Sequence, residues 1–257
     1  MPDPNRQPGR GDMTNNIPAV ITVRSQSSRL LNKCFLPFGE SSVLEHVIRR
    51  ALHFGLDPIV CTTREVADDR IQAVASAMGA KCYRGPTDNK LLRWSECCNH
   101  FGLEAFHSVD ADDPFFCGEE VRRSFALLQD GLDMVAPSPS SSGGGATVGY
   151  SLTADIVARA CKGLGDDTDT EMMWSYVERV PGLRKAVLQD PAEHVIRARL
   201  TLDYHEDYVL LEAIRLLVGN MALRAEIAAL LLRNPDLQEI NAFRTAEWSA
   251  KQKAKSL

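Results

Sequence analysis

The chain has 257 residues, 44% hydrophobic and 25% charged, with 17 glycines and 13 prolines, a profile that excludes collagen-like, mucin-like and wholly disordered proteins and suits one large α/β domain. Its 29 basic and 34 acidic side chains leave a formal net charge of -5, with no basic patch of the kind a nucleic-acid-binding surface needs. No apolar run approaches the ~18 residues of a membrane span and no apolar signal core opens the chain, so a cytoplasmic protein acting on small molecules is expected, with no nucleic-acid or membrane partner.

Residues 1–16 are polar and rich in Pro, Gly and Asn, which predicts a disordered leader. Ala19–Arg24 reads as a strand. Val43, Leu44, Val47, Ile48, Ala51 and Leu52 then recur at helical spacing between Ser41-Ser42 and Gly55. Pro58–Thr63 is a second strand, 65–79 a helix and Lys81–Arg84 a third strand. A helix from Asp88 to Phe101, a strand from Ala105 to Val109 and a helix over 118–129 follow. Asp133–Ala136 and Thr147–Leu152 read as strands on either side of SPSSSGGGA, which has the composition of a flexible loop. Helices over 153–162 and 169–178, strands at Ala186–Leu188 and Val195–Leu200, and helices over 205–217 and 220–233 complete the pattern. This βαβ rhythm predicts a mostly parallel sheet covered on both faces. The domain is read as 17–235, with an inserted region near 137–190 suited to a lid or subunit contact. The last residues, 236–257, form a polar tail expected to dock weakly.

Cys34, Cys61, Cys82, Cys97, Cys98, Cys117 and Cys161 are scattered, odd in number and without a CxxC pair. They read as core thiols rather than as a disulfide framework or a metal site. GxGxxG is absent after the first strand, and so is GxxxxGK[ST] anywhere, which removes the Rossmann dinucleotide and P-loop readings.

In an open α/β sheet, ligands bind beyond the carboxyl ends of the strands. Three segments fall there. The first holds Arg24, Ser27, Ser28, Arg29 and Lys33, whose cations and hydroxyls suit phosphate oxygens unless the loop is merely solvated. The second holds Asp110, Asp112 and Asp113, oxygen donors fit for Mg2+, with Asp112 the preferred ligand and an acidic capping turn as the plainer alternative. In the third, Asp203 either caps the following helix or supplies a second carboxylate to the same metal, while His205 reads as a first-turn side chain. A further strand-to-helix junction places Asp88 and Asn89 where they could read a base edge, with Thr87 or Asp88 as the alternative helix cap, and Arg93 one turn on.

ITVRSQSSRLLNKCFLPFGESSVLEHVIRRA, YRGPTDNKLLRW, VDADDPFF and RARLTLDYHEDYVLLEAI together resemble, in order, the motifs of cytidylyltransferases that activate acidic sugars, the CMP-Kdo and CMP-sialic acid synthetases, and most nearly the spore-coat polysaccharide branch. The resemblance implies a nucleotide-diphospho-sugar transferase fold (GT-A/Rossmann-like), a three-layer α/β sandwich with a mainly parallel central sheet. It assigns Arg24, Ser28, Arg29 and Lys33 to the CTP triphosphate, Asp88 and Arg93 to the nucleotide, and Asp112 and Asp203 to magnesium. It implies transfer of CMP from CTP to an acidic sugar for surface polysaccharide synthesis, with Arg24, Lys33 and Asp112 closest to the chemistry, in a homodimer. The sequence departs from the family's pattern at Leu31-Asn32, which replaces Pro-Gly, at Ala111, which replaces Gly, and around Trp174, Tyr176, Glu178 and Arg179; these changes bear on the acceptor. Two other readings stand beside it. Asp110-Ala111-Asp112 fits the Asp-x-Asp of a GT-A glycosyltransferase, and a non-catalytic nucleotide-binding homologue would turn one of Lys33, Asp112 or Asp203 away from the cleft.

Overall fold

The computed structural model describes residues 17–27, 29–190 and 196–255. The expected leader over 1–16, Ser28, the first residue of the strand expected at Val195–Leu200 and the last two residues of the tail lie outside that set.

Strand β1, Ile17–Thr22, is an interior strand of the sheet. A two-stranded ribbon, β2 (Pro37–Phe38) and β3 (Ser41–Ser42), leads into helix α1, Val43–His53. That helix starts where the sequence signals it. Ser42 Oγ accepts the Glu45 amide while Glu45 bonds back to the Ser42 amide, a reciprocal capping box. The chain turns out of the helix through Gly55 at φ +64°, a left-handed conformation that side chains disfavour. There follow β4 (Leu56–Thr63), α2 (Asp69–Ala77), β5 (Lys81–Gly85), α3 (Lys90–Phe101), β6 (Ala105–Asp110), α4 (Gly118–Gln129), β7 (Met134–Ala136), β8 (Ser151–Thr153), α5 (Ala154–Cys161), α6 (Met173–Val177) and β9 (Lys185–Val187). Helices α7 (His205–Val218), α8 (Arg224–Arg233), α9 (Pro235–Glu239) and α10 (Arg244–Lys255) close the chain.

The sheet runs β5-β4-β1-β6-β8-β7-β9. Neighbouring strands in it are parallel except at β8, which runs antiparallel to β6 and β7. Period-two alternation along β1 divides the core. Ile17, Ala19 and Ile21 face α1, α2 and α4, packing on Leu44, Val47, Ile71 and Val121. Val20 faces the opposite layer, where Leu91 and Trp94 of α3 meet Ile156 and Val157 of α5. A third cluster joins Phe38, Val43 and Phe115 to α7 and α8 through Ala198, Leu200 and Leu202. The three-layer α/β arrangement with a mainly parallel sheet is as expected. Six of the seven cysteines are buried and all are free thiols, as their apolar neighbours indicated. Among the described residues no helix is long and apolar enough to cross a membrane.

Several local readings are corrected. Residues 196–200 form no strand; they run as an irregular segment whose apolar side chains plug the third cluster. Residues 147–150 are likewise outside β8. Helix α6 spans only 173–177 of the expected 169–178. The Ser/Gly stretch is a wound, partly buried turn at Ser141–Gly145, because the Ser141 hydroxyl accepts the amides of Thr147 and Val148 and donates to the Val148 carbonyl. Region 137–190 is not set apart from the core: β8 and β9 extend the sheet and α5 covers it. The tail is helical and its Gln238 and Asn241 are buried.

Candidate active site

Strand register brings the first two predicted segments together. Thr22 of β1 pairs with Asp110 of β6, so the loop leaving β1 and the turn leaving β6 emerge side by side at the carboxyl edge. The Ala111 amide donates to the Thr22 carbonyl at 3.1 Å and ties the two exits. The third segment is added by a backbone bond from the Leu202 amide to the Asp112 carbonyl at 2.7 Å. Three segments separated by up to 170 residues thus share one edge, and their charged groups meet at Lys33.

Lys33 Nζ donates to Asp112 Oδ2 and, at 3.1 Å, to Asp203 Oδ1. Burial opposes its charge, but the two carboxylates outweigh that and hold the ammonium above its ordinary range. Arg29 donates to Asp203 Oδ1 at 2.6 Å, and Arg199 to Asp203 Oδ2 at 3.1 Å. Burial pushes the Asp203 carboxyl up, yet Lys33, Arg29 and Arg199 more than offset it and hold it below the usual range. The acidic turn has the opposite balance. Burial raises Asp112, Lys33 resists that, and Asp203 and Asp110 add to it, so the carboxyl ends above its ordinary range. Asp113 is raised further by burial and by Asp112 and Asp110, against a hydrogen bond from Thr201.

The carboxylates of Asp110, Asp112 and Asp113 lie within 4.8 Å of one another. Three hard oxygen donors fit Mg2+, and Lys33 on Asp112 and Lys90, 3.1 Å from Asp110, offset only part of their mutual repulsion. Asp203 stands outside that group, and both its oxygens are engaged by cations. In this structure it therefore anchors the basic side chains of Arg29, Lys33 and Arg199.

The remaining predicted residues divide. Arg24 is exposed and turned toward Glu171, 3.6 Å away, on the segment before α6. Ser27 is half-buried. Asp88 is exposed; its carbonyl accepts the amides of Lys90 and Thr170. Arg93 does not reach outward: at 3% exposure it donates to the carbonyls of Pro86 and Thr87, bracing the loop before its own helix. Asn89, considered for base recognition, is wholly buried. It caps α3 by accepting the Leu92 amide, a role the sequence reading gave to Thr87 or Asp88, and its amide donates to the Gly165 carbonyl. Asp113 does not cap α4, whose N-cap position is Cys117.

Two further carboxylates shape the site: Asp68, which lies outside the three segments, and Asp207, which belongs to the third. Asp68, 2% exposed, accepts the Ser25 amide at 2.8 Å and hydroxyl at 2.6 Å, as well as the hydroxyls of Thr62 and Thr63. It pins the start of the basic loop to the end of β4. Asp207, fully buried, accepts the amides of Asp203 and Tyr204, each at 2.9 Å. The RARLTLDYHED run carried that signal in its Asp203-to-Asp207 spacing.

With this geometry established, the chain can be set beside known proteins. Residues 19–135, which contain the basic loop and the acidic turn, match the model of the cytidylyltransferase family. The spore coat polysaccharide biosynthesis protein SpsF of Bacillus subtilis is 26% identical over 235 residues, 86% of this chain and 96% of that protein. A cytidylyltransferase structure from Leptospira borgpetersenii superimposes with a TM-score of 0.74 at 16% identity, covering 87% of this chain and 96% of the other. A CMP:2-keto-3-deoxy-manno-octonic acid synthetase complexed with CTP gives a TM-score of 0.60 at 14% identity, covering 79% and 98%. The chain has the cytidylyltransferase fold.

Proposed function

We propose that this protein is a magnesium-dependent cytidylyltransferase that transfers CMP from CTP to an acidic sugar and releases pyrophosphate. The observation that carries the proposal is the convergence of Lys33, Asp112 and Asp203 at the adjoining ends of β1 and β6. The family match over 19–135 supports nucleotidyl transfer from CTP, and the names of the polysaccharide and keto-deoxy-octonic acid relatives support the acceptor class.

The residues supply what the reaction requires. A triphosphate is polyanionic and repels an anionic acceptor. Arg29 and Lys33 are cations on the loop at the strand edge, with side chains 20% and 15% exposed. They suit the phosphate oxygens and the charge that develops on the departing pyrophosphate. Asp203, itself held by Arg199, keeps those two cations in place beforehand, so the reaction need not reorganise them. Asp112, with Asp110 and Asp113, would hold the magnesium ion. When bound, that ion offsets phosphate charge and helps align the attacking and leaving oxygens. In the reaction the acceptor hydroxyl oxygen bonds to the α-phosphorus, the bond to the β-phosphate oxygen breaks, and the hydroxyl proton is lost to solvent. Arg24, the most exposed cation of the loop, is assigned to the triphosphate, and its pairing with Glu171 would have to yield. Asp88 and Ser27, with Ser28, stay in the proposal as nucleotide contacts. Homodimer formation belongs to it as well.

A GT-A glycosyltransferase would use Asp110 and Asp112 and have little need for a lysine between two carboxylates. The test is pyrophosphate release with each of the common nucleoside triphosphates, magnesium and a panel of acidic sugars. Release with CTP and an acidic sugar is the expected result. No release with any acceptor, alongside measurable binding of UDP- or GDP-sugars, would overturn the proposal in favour of the glycosyltransferase.

A further inference from the structure

The carboxyl-terminal segment does more than cover the third apolar cluster. Its side chains recur along the chain at Gln238, Asn241, Arg244 and Trp248; Gln238, Asn241 and Trp248 meet the segment that ends in Asp203, and Arg244 meets the helix that follows it. Gln238 Oε1 accepts the Arg197 amide at 2.8 Å. Arg244 forks onto Glu206, the second residue of α7, at 2.8 and 3.2 Å. The Trp248 ring lies 4.9 Å from the Arg199 guanidinium carbon. Asn241 sits between them in the turn from α9 to α10, with no exposure.

Asn241 is fully used. Its Oδ1 accepts the Arg199 amide at 3.2 Å, and its Nδ2 donates to the Arg199 carbonyl at 2.8 Å and to Asp207 Oδ1 at 2.9 Å. It therefore grips both backbone groups of Arg199 in the manner of a neighbouring strand, although residues 196–200 lack one. Asp207 in turn receives Arg199 Nε at 3.2 Å and the amides of Asp203 and Tyr204. Arg199 and Asp203 then set the positions of Arg29 and Lys33. The chain of contacts runs unbroken from the tail to the basic loop. The links among Asn241, Arg199, Asp207 and Asp203 are buried hydrogen bonds, whose loss strands a polar group, and the last ones, to Arg29 and Lys33, are part-buried.

We propose that Asn241 is a positioning residue for nucleotidyl transfer, and that the carboxyl-terminal segment completes the site by fixing, through Asp207 and Arg199, the turn that carries Asp203. This rests on the placement of Asp203 in the active site. Asn241 touches neither substrate nor the reacting atoms. Its effect is on alignment: removing it leaves every cation of the loop present to attract a triphosphate but lets the Asp203 turn drift, and small misplacements of reacting groups are costly.

The experiment compares N241A and N241D with the intact chain. N241D keeps the side-chain shape but loses the amide donor and sets a carboxylate against Asp207. Turnover is measured per CTP-binding site, counted by titration calorimetry, and amide hydrogen exchange is followed at residues 203–204 and in β1 and β6. We expect per-site kcat to fall about tenfold or more in both variants and KM for CTP to move by less than about threefold, with protection lost at 203–204 but retained in β1 and β6. Per-site kcat within about twofold of the intact chain, or an N241D variant that keeps its 203–204 protection, overturns the proposal. So does loss of protection throughout β1 and β6 in both variants, which would make the segment purely structural. If the intact chain releases no pyrophosphate with any triphosphate, the functional reading above fails, while the exchange measurement still decides whether Asn241 holds the Asp203 turn.

Discussion

Asp112 and Asp203 share one partner, Lys33, yet live in opposite environments. Asp203 is ringed by cations: Lys33, Arg29 and Arg199 occupy both its oxygens, and its carboxyl is held below the ordinary range despite burial. Asp112 has Lys33 on one side and Asp110 and Asp113 on the other, and its carboxyl is pushed up by burial and by its acidic neighbours. One carboxylate is already neutralised and serves as an anchor. The other belongs to a cluster of three carboxylates met by two lysines, Lys33 and Lys90, an excess of negative charge that favours capture of a divalent cation. A shared hydrogen-bond partner therefore says little about role. The balance of charge around each group separates them.

That contrast predicts different failures. The largest effect is expected on activity from Asp112→Asn. Turnover should drop by about 10^3-fold in a pyrophosphate-release assay, while the melting temperature changes by no more than about 2 °C, because the amide relieves repulsion in the turn. A large loss of stability with activity retained would erase the distinction between the two carboxylates. Asp203→Ala should do the reverse in emphasis. It strands Arg199 and deprives Arg29 and Lys33 of a partner, and breaking such a buried cluster costs about 3–5 kcal/mol. Thermal unfolding should fall by roughly 10 °C for a domain of this size.

The smallest effect is on pH dependence and tests the sign of the difference. Asp113 has a raised carboxyl, so the folded state binds its proton more readily than the unfolded chain does. Its ionised form is unfavourable to folding at neutral pH, and that penalty is relieved as pH falls through the raised value toward the ordinary one. Asp203 is depressed, so its contribution is present above the ordinary carboxylate value and is lost as pH falls through the folded value. Asp113→Asn should therefore be more stable than the intact chain near neutrality, with the advantage shrinking as the pH of the melts is lowered from about 7 toward about 4. An advantage that grows on acidification would invert the assignment.

Much of this was legible in the sequence where the signal is local. Ser42, Glu45 and the apolar stripe behind them mark α1, and residues 118–129 of α4 are found at the expected bounds because a single helix turn fixes their neighbours. The basic loop and acidic turn were recognisable because they follow apolar strand runs at points where a parallel sheet presents its ligand edge. The misses have a different physical origin. Arg93 and Asn89 read as ligand contacts, but the loop they belong to closes over them and uses their polar groups to satisfy its own backbone. The Ser/Gly stretch reads as mobile, but the Ser141 hydroxyl organises it from within. The apolar run up to Leu200 reads as a strand; in the fold its edges are satisfied instead by Asn241, Gln238 and the Gly144 carbonyl.

The sequence by itself determined most of the elements, the burial of six of the seven cysteines, the class of fold and the kinds of charge that would gather at the strand ends. These follow from periodicity, capping and composition, which act over a few residues. Only the tertiary structure decided which charges meet. That Lys33 lies between Asp112 and Asp203, that Arg24 turns to Glu171, and that the tail grips Arg199 and Asp207 depend on strand order and on contacts between segments far apart in the chain. Electrostatic roles are set by neighbours in space, and a linear sequence gives the residues without that neighbourhood.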